Sequence, residues 1–545
     1  MSVLLFLGIA FGGAAATLLT RRWAAVSATL GIAALIAGIV AAAAIRPETV
    51  QIGGGTLVGT AYGRLFLVLG MGSGLVLSLM GLANGLPRNL PGAVLGGLGG
   101  AGLALFLPDP TTAVVATIVS GLAGVLVTLR YVPTAIGVAV AARELRAIVV
   151  AGGIVLLATA WVSRPLDTLA ADPPVFGLAY LAVAVGVAMR FGAVPFHLWV
   201  ARVADAAPEV ALPLITAWGP AALAVVGLAW VDASIVPVSP IAGDLPAERI
   251  VIIAIGLACL VLAAIAAWIQ VDLEHVVAYA TIQDAGIVVL SFAALELEQA
   301  SDTGTWPAAR TWIIVMLVTR TAFAAWAVAT RARFGTRRID ELRGWARRSP
   351  VLAIGLLAIA VASIGWPGFG AFDARATIIR LAIGGPFQAI ALAAVFLPLL
   401  YYGRLFAVGL AAPTAAIRDV ADDRPRVPLD PATGVRFGRG NLPALRERGA
   451  WPAVGRLVLD ANRGLVVAAL AFVLAAGAIF AAGGSFGLPA AAAEAAPAPS
   501  GVQPDLAAPG SSPDLSTPEP TAGVDGGGPT EPAGSSGPTG PSATP

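Results

Sequence analysis

The sequence predicts an all-α membrane protein of about fourteen transmembrane helices, followed by a disordered C-terminal tail. Three observations carry that reading. Of 545 residues, 58% are hydrophobic and only 12% charged, and mean hydropathy is +0.87, a balance outside the soluble globular range. Apolar runs close to the ~20 residues that a bilayer core requires recur along most of the chain. Arginines collect in alternate loops between those runs. The formal net charge of +2 carries no information.

The apolar runs at 2–20, 23–45, 63–83 and 92–107 make up an N-terminal group, residues 1–110. A core over 111–410 holds runs at 111–130, 146–163, 175–194, 210–231, 249–270, 276–295, 308–331, 350–366 continuing to 384, and 386–411. Pro195 interrupts the seventh helix and Pro367 the twelfth. Residues 411–461 read as an Arg- and Pro-rich cytoplasmic loop, 462–486 as the last helix, and 487–545 as a tail. That tail, rich in Pro, Ser, Gly, Thr and Ala, cannot bury a core and is expected to be disordered.

Arginine placement sets the sidedness. Arg21 and Arg22 follow the first helix, Arg88 the third, and Arg130, Arg143 and Arg146 the fifth. Seven arginines from Arg331 to Arg348 follow the eleventh, and nine from Arg418 to Arg463 the thirteenth. The loops after even-numbered helices are poorer, with Arg46 and Arg64, then Arg164, Arg249 and Arg310. The positive-inside rule places the rich loops in the cytoplasm and both termini outside. Residues 2–20 lack a basic leading segment, so they read as a reverse signal anchor rather than a cleaved signal.

Composition also excludes chemistries. All 33 basic residues are arginine and none is lysine. A guanidinium stays protonated, so no lysine-type relay can operate. The one cysteine, Cys259, cannot by itself build an iron–sulfur or zinc site and reads as a packing residue. Gly97-x-Gly99-x-x-Gly102 and Gly70-x-Gly72-x-Gly74 lie inside apolar runs with no preceding strand, so they read as helix packing and not nucleotide loops. No cofactor, metal site, catalytic residue or nucleic-acid partner is expected; the lipid bilayer is.

The most informative stretch is Met189–Pro208. It sets a permanent cation, Arg190, a few residues from helix-breaking Pro195 in an otherwise apolar run. In hydrocarbon, both survive only where protein or water satisfies them, and such pairs mark ion or proton routes.

Arg190-x4-Pro195-Phe196-His197-x-Trp199, followed by Ala207-Pro208, resembles the seventh helix and turn of the antiporter-like membrane subunits. Those subunits belong to proton-pumping NADH-quinone oxidoreductase, related hydrogenases and multi-subunit cation/proton antiporters. Asp272-Leu273 with Ala278-Tyr279, Ile282 and Gly286 is similar to the start of their tenth helix. Ile339–Trp345 with Pro350, and Gly365-x-Pro367 with Ala371-Phe372 and Arg375, resemble the approach to their twelfth helix and its break. Tyr401-Tyr402-x-Arg404 resembles the thirteenth helix of subunit N of the NADH dehydrogenase.

The resemblance implies two inverted five-helix repeats, helices 4–8 and 9–13, with discontinuous helices 7 and 12. It also implies a hydrated line of titrating side chains, which this chain has largely lost. Arg190 and Arg375 stand at the lysine positions of helices 7 and 12, Pro220 at that of helix 8, and Ala123 where helix 5 carries glutamate. Arg190, His197, Asp284, Arg320 and Arg375 are the candidate proton-path or field-setting residues, with Pro195 and Pro367 as the breaks. His197 also reads as a turn residue, Glu274 and His275 as cytoplasmic loop residues, and Arg190 as a partner for carbonyls freed by Pro195.

The function implied is that of a non-redox membrane subunit of an NADH-quinone oxidoreductase-like complex in the bacterial inner membrane, contributing to proton translocation. Its partners would be the other membrane subunits. A subunit of a multi-subunit cation/proton antiporter and a purely structural scaffold remain as alternatives.

Overall fold

The computed structural model describes residues 2–83, 90–131, 135–235, 245–294, 305–365 and 369–413. The sequence expectations for Pro367, the 414–461 part of the loop, the last helix and the tail lie outside them. Among the described residues, ten helices are long and apolar enough to cross a membrane, and two shorter apolar ones accompany them. This is a multi-pass membrane architecture.

Helices α1 (Ser2–Leu19), α2 (Ala24–Ala43), α3 (Ala61–Ala83) and α4 (Leu90–Phe106) form the first group. Between α2 and α3 lies a feature absent from the sequence reading, an antiparallel hairpin of β1 (Thr49–Ile52) and β2 (Gly55–Val58). Its turn residues Gly53 and Gly54 have φ of 52° and 86°. Two consecutive positive values are what a tight two-residue hairpin turn demands, and glycine supplies them without strain.

α5 (Pro110–Tyr131) and α6 (Ala135–Trp161) follow. α6 begins well before the expected residue 146, so Arg143 and Arg146 sit on a helix rather than in a loop. Both are exposed while Glu144 between them is buried. After the short α7 (Pro165–Ala171), α8 (Pro173–Phe191) ends at Gly192, whose φ is 68°. The left-handed glycine lets the Gly192 and Ala193 amides cap Met189 and Ala188 carbonyls at 3.0 and 2.8 Å. The chain then turns through Pro195 into amphipathic α9 (Leu198–Ala206).

α10 (Glu209–Ser234) and α11 (Pro246–Ile269) each contain one π-helical turn, at Leu214–Trp218 and Cys259–Ala263. α12 (Leu273–Ala293) and α13 (Thr305–Phe334) are buried almost all round and, with α10, form the centre of the bundle. Beyond the short α14 (Trp345–Arg348), α15 (Pro350–Ile364) and α16 (Gly370–Ala382) are separate elements, flanking the expected second break. The expected thirteenth helix is divided into α17 (Phe387–Ala394) and α18 (Pro398–Leu410), because Pro398 withholds an amide from the ladder. α1, α2, α11 and α15 show apolar side chains outward, among them Leu5, Val40, Ile250 and Ile354.

Candidate functional site

Among the described residues, buried charge gathers in three clusters, with Arg310 of α13 buried apart from them. The first surrounds the break after α8. Arg190 occupies the last turn of α8 and is only 3% exposed. It does not serve the carbonyls freed at the break: the Met189 carbonyl accepts the Trp199 indole N–H at 3.1 Å instead. Arg190 Nη1 reaches the Ile215 carbonyl of the π turn in α10 at 3.5 Å. π turns loosen the backbone ladder and commonly sit at functional positions. The guanidinium also lies 5.8 Å from the Trp199 ring centroid.

α5 makes room for this charge with two glycines three residues apart on one face. A Cβ on Gly121 would lie 3.2 Å from Arg190 Nη2, and one on Gly124 2.6 Å from Glu144 Oε1. Glu144 is fully buried; Oε2 accepts the Thr128 hydroxyl at 2.9 Å and Oε1 has no partner. A cavity of about 10 Å³, enough for one water, adjoins Gly121, Gly124, Arg190 and Ile215. Helix 5 indeed lacks a glutamate, but a carboxylate from α6 faces the same glycine stripe. The sequence reading missed Glu144, although its spacing with buried Ala141 and Ile148 is that of one helix face.

The second cluster ties four elements together. Arg320 of α13, fully buried, donates through Nε to Asp284 Oδ2 of α12 at 2.6 Å. Its Nη1 reaches the Tyr402 hydroxyl of α18 at 3.4 Å, and its Nη2 donates to Ser363 Oγ of α15. Asp284 is therefore a core residue, 2% exposed. Arg375 of α16 is also 2% exposed, with its Cζ 4.7 Å from the Trp312 ring centroid. Trp312 in turn donates to the Asp284 carbonyl at 3.1 Å. Arg375 Nε and Nη2 have no hydrogen-bond partner, and Asp373 is exposed.

The third cluster lies at the arginine-rich end of α13. Glu274, expected in a loop, is in the first turn of α12 and 2% exposed. Glu209 opens α10 and ion-pairs with Arg331. His275 Nε2 lies 3.0 Å from Asp205 Oδ1. His197 caps α9 with Nδ1 buried and unpartnered, its ring centroid 6.3 Å from that of Tyr279. Arg404 donates to the Trp268 and Gln270 carbonyls, pinning α18 to the end of α11. Cys259 Sγ accepts the Val194 amide at 3.1 Å, beside the break.

Arg190 on α8, Arg375 on α16 and the Asp284–Arg320 pair between α12 and α13 thus place buried charge inside a multi-pass helical bundle. Residues 165–400 match the family described as NADH:quinone oxidoreductase/Mrp antiporter, TM. The chain is similar to NADH-quinone oxidoreductase subunit N of Halorhodospira halophila, 30% identical over 262 residues, which are 47% of this chain and 49% of that one. Subunit N of Thiobacillus denitrificans is 29% identical over 236 residues, 43% of this chain and 46% of that one. This chain thus spans about half the length of the curated relatives it matches. A chain of respiratory complex I from Thermus thermophilus shares the fold, with a TM-score of 0.63 at 18% identity over 90% of this chain and 99% of that one. So does a chain of the Mrp complex from Dietzia sp. DQ12-45-1b, with a TM-score of 0.67 at 17% identity over 92% and 98%. The resemblance to antiporter-like subunits, subunit N among them, stands.

Proposed function

We propose that this chain is a non-redox membrane subunit of an NADH-quinone oxidoreductase-like complex in the bacterial inner membrane, contributing to proton translocation coupled to electron transport. Arg190, Arg320 and Arg375 set the field along the route; Asp284, His197 and water carry the proton. The observation that supports this most is the buried Asp284–Arg320 pair, 2.6 Å apart at the centre of the bundle and joined to two further elements. Buried intramembrane charges are costly and mark ion or proton routes. Guanidinium groups do not release protons, so the titrating work falls to the carboxyls and histidine.

The same proposal includes fourteen helices in two inverted repeats, both termini outside, neighbouring membrane subunits, surrounding lipid and a disordered tail. The boundaries are 1–110, 111–410, 411–461, 462–486 and 487–545. Proton uptake by vesicles holding the purified complex tests it, comparing wild type with Arg190→Ala and Asp284→Asn. Lower stoichiometry in the variants is expected. Unchanged stoichiometry in both would leave a structural scaffold as the better reading.

A further inference from the structure

Two buried glutamates sit outside the candidate route just described. Glu209, at the start of α10, is 4% exposed and Glu274, in the first turn of α12, 2% exposed. Both reach the same nitrogen: Arg331 Nη1 pairs with Glu209 Oε1 and lies 3.8 Å from Glu274 Oε1. Arg337 is shared as well, its Nη1 3.6 Å from Glu274 Oε1 and its Nε 3.8 Å from Asp272 Oδ1. Among the described residues, these two guanidiniums face three carboxyls, one negative charge more than positive.

Geometry identifies the surplus group. Separations of 3.6 and 3.8 Å are too long for hydrogen bonds, and neither oxygen of buried Glu274 has a hydrogen-bond partner. An ionised carboxylate in that state is costly, and two carboxyls on one cation are cheapest with a proton between them. Other charges nearby form pairs among themselves. On α9, Arg202 and Asp205 are 3.5 Å apart, and Asp205 also holds His275. After α13, Arg338 pairs with Asp340 and Glu341.

We propose that Glu209 and Glu274 share one proton and load it into the membrane interior from the arginine-rich side. The inference rests on the translocation reading above. His275, next to Glu274 on α12, and its partner Asp205 on α9 are 18% and 38% exposed, so this end of α12 meets solvent. A proton delivered by water from that side forms the Glu274 O–H bond. On release that bond breaks, the proton passes to water further inside, and the carboxylate returns. The next titratable ring inward is that of His197, beside Tyr279, one turn of α12 past His275.

The test uses the full chain in its assembled complex, in vesicles, with wild type, Glu274→Gln, Glu209→Gln and Glu274→Asp. Infrared difference spectra in water and heavy water are expected to show a protonated-carboxyl band that Glu274→Gln removes and Glu274→Asp retains. Proton uptake is expected to fall about tenfold or more in Glu274→Gln, with partial recovery in Glu274→Asp. A band that survives in both glutamine variants, or Glu274→Gln uptake equal to wild type, would overturn the loading pair. A wild-type complex that keeps the Glu274 band and moves no protons would overturn the translocation reading and leave the shared proton intact, so the two failures are told apart.

Discussion

Replacing Asp284 by leucine tests whether the central ion pair holds the bundle together. Arg320 is fully buried and its shortest bond, 2.6 Å, runs to Asp284. Losing one partner of a buried pair costs about 3–5 kcal/mol, because the other charge is stranded. Arg320 would keep the Ser363 and Tyr402 hydroxyls, and the Phe323 ring whose centroid lies 5.9 Å from its Cζ. Those partners put the expected loss near the lower end, about 3 kcal/mol. Removing both charges, in Asp284→Leu/Arg320→Met, leaves neither stranded and restores most of the stability. The assay is unfolding in mixed detergent micelles, followed by tryptophan fluorescence, for wild type, both single variants and the double. A non-additivity of at least about 2 kcal/mol is expected. Additive singles, or a loss below about 1 kcal/mol for Asp284→Leu, would refute the pair's role in holding α12, α13, α15 and α18 together.

Arg375→Met should behave oppositely. With two guanidinium nitrogens lacking hydrogen bonds, replacement is expected to be neutral or to stabilise by about 1–4 kcal/mol in the same unfolding assay. Proton uptake by the complex should fall, and a stability loss above about 2 kcal/mol would contradict this. Gly124→Ala should cost about 1–3 kcal/mol, since its methyl would sit 2.6 Å from Glu144 Oε1. Gly153→Ala, where a methyl meets open space, should instead gain about 0.5–1 kcal/mol; equal effects in thermal melts would dismiss the glycine-stripe argument. Gly192→Ala should lose at least about 1–2 kcal/mol from the left-handed backbone alone, with a further collision against Val200. Wild-type stability in that variant would mean the break tolerates a side chain.

The sequence locates most helices because a bilayer demands long apolar runs, and it locates Arg190, Asp284, Arg320 and Arg375 because charge in such runs is conspicuous. It fails where charge lies beside a run. Glu144, between two arginines, looks like part of a basic loop until α6 is seen to reach back to Ala135. Glu209 and Glu274 sit at helix starts, where acids are ordinary. Only the tertiary arrangement brings both to Arg331. Arg190 likewise shows its cation early, but its acceptor, the Ile215 carbonyl, depends on a π turn that no residue spacing announces. The β1–β2 hairpin was legible in principle from Gly53-Gly54 between alternating apolar residues.

Cys259 carries the chain's single sulfhydryl, and its hydrogen bond from the Val194 amide sets it against the kink that follows α8. The protein thus holds an intrinsic spectroscopic label at the place where movement would matter. An S–H stretch falls in a spectral window free of other side chains, and here only one oscillator occupies it. Any shift at the kink in the purified chain would register there with no engineered probe.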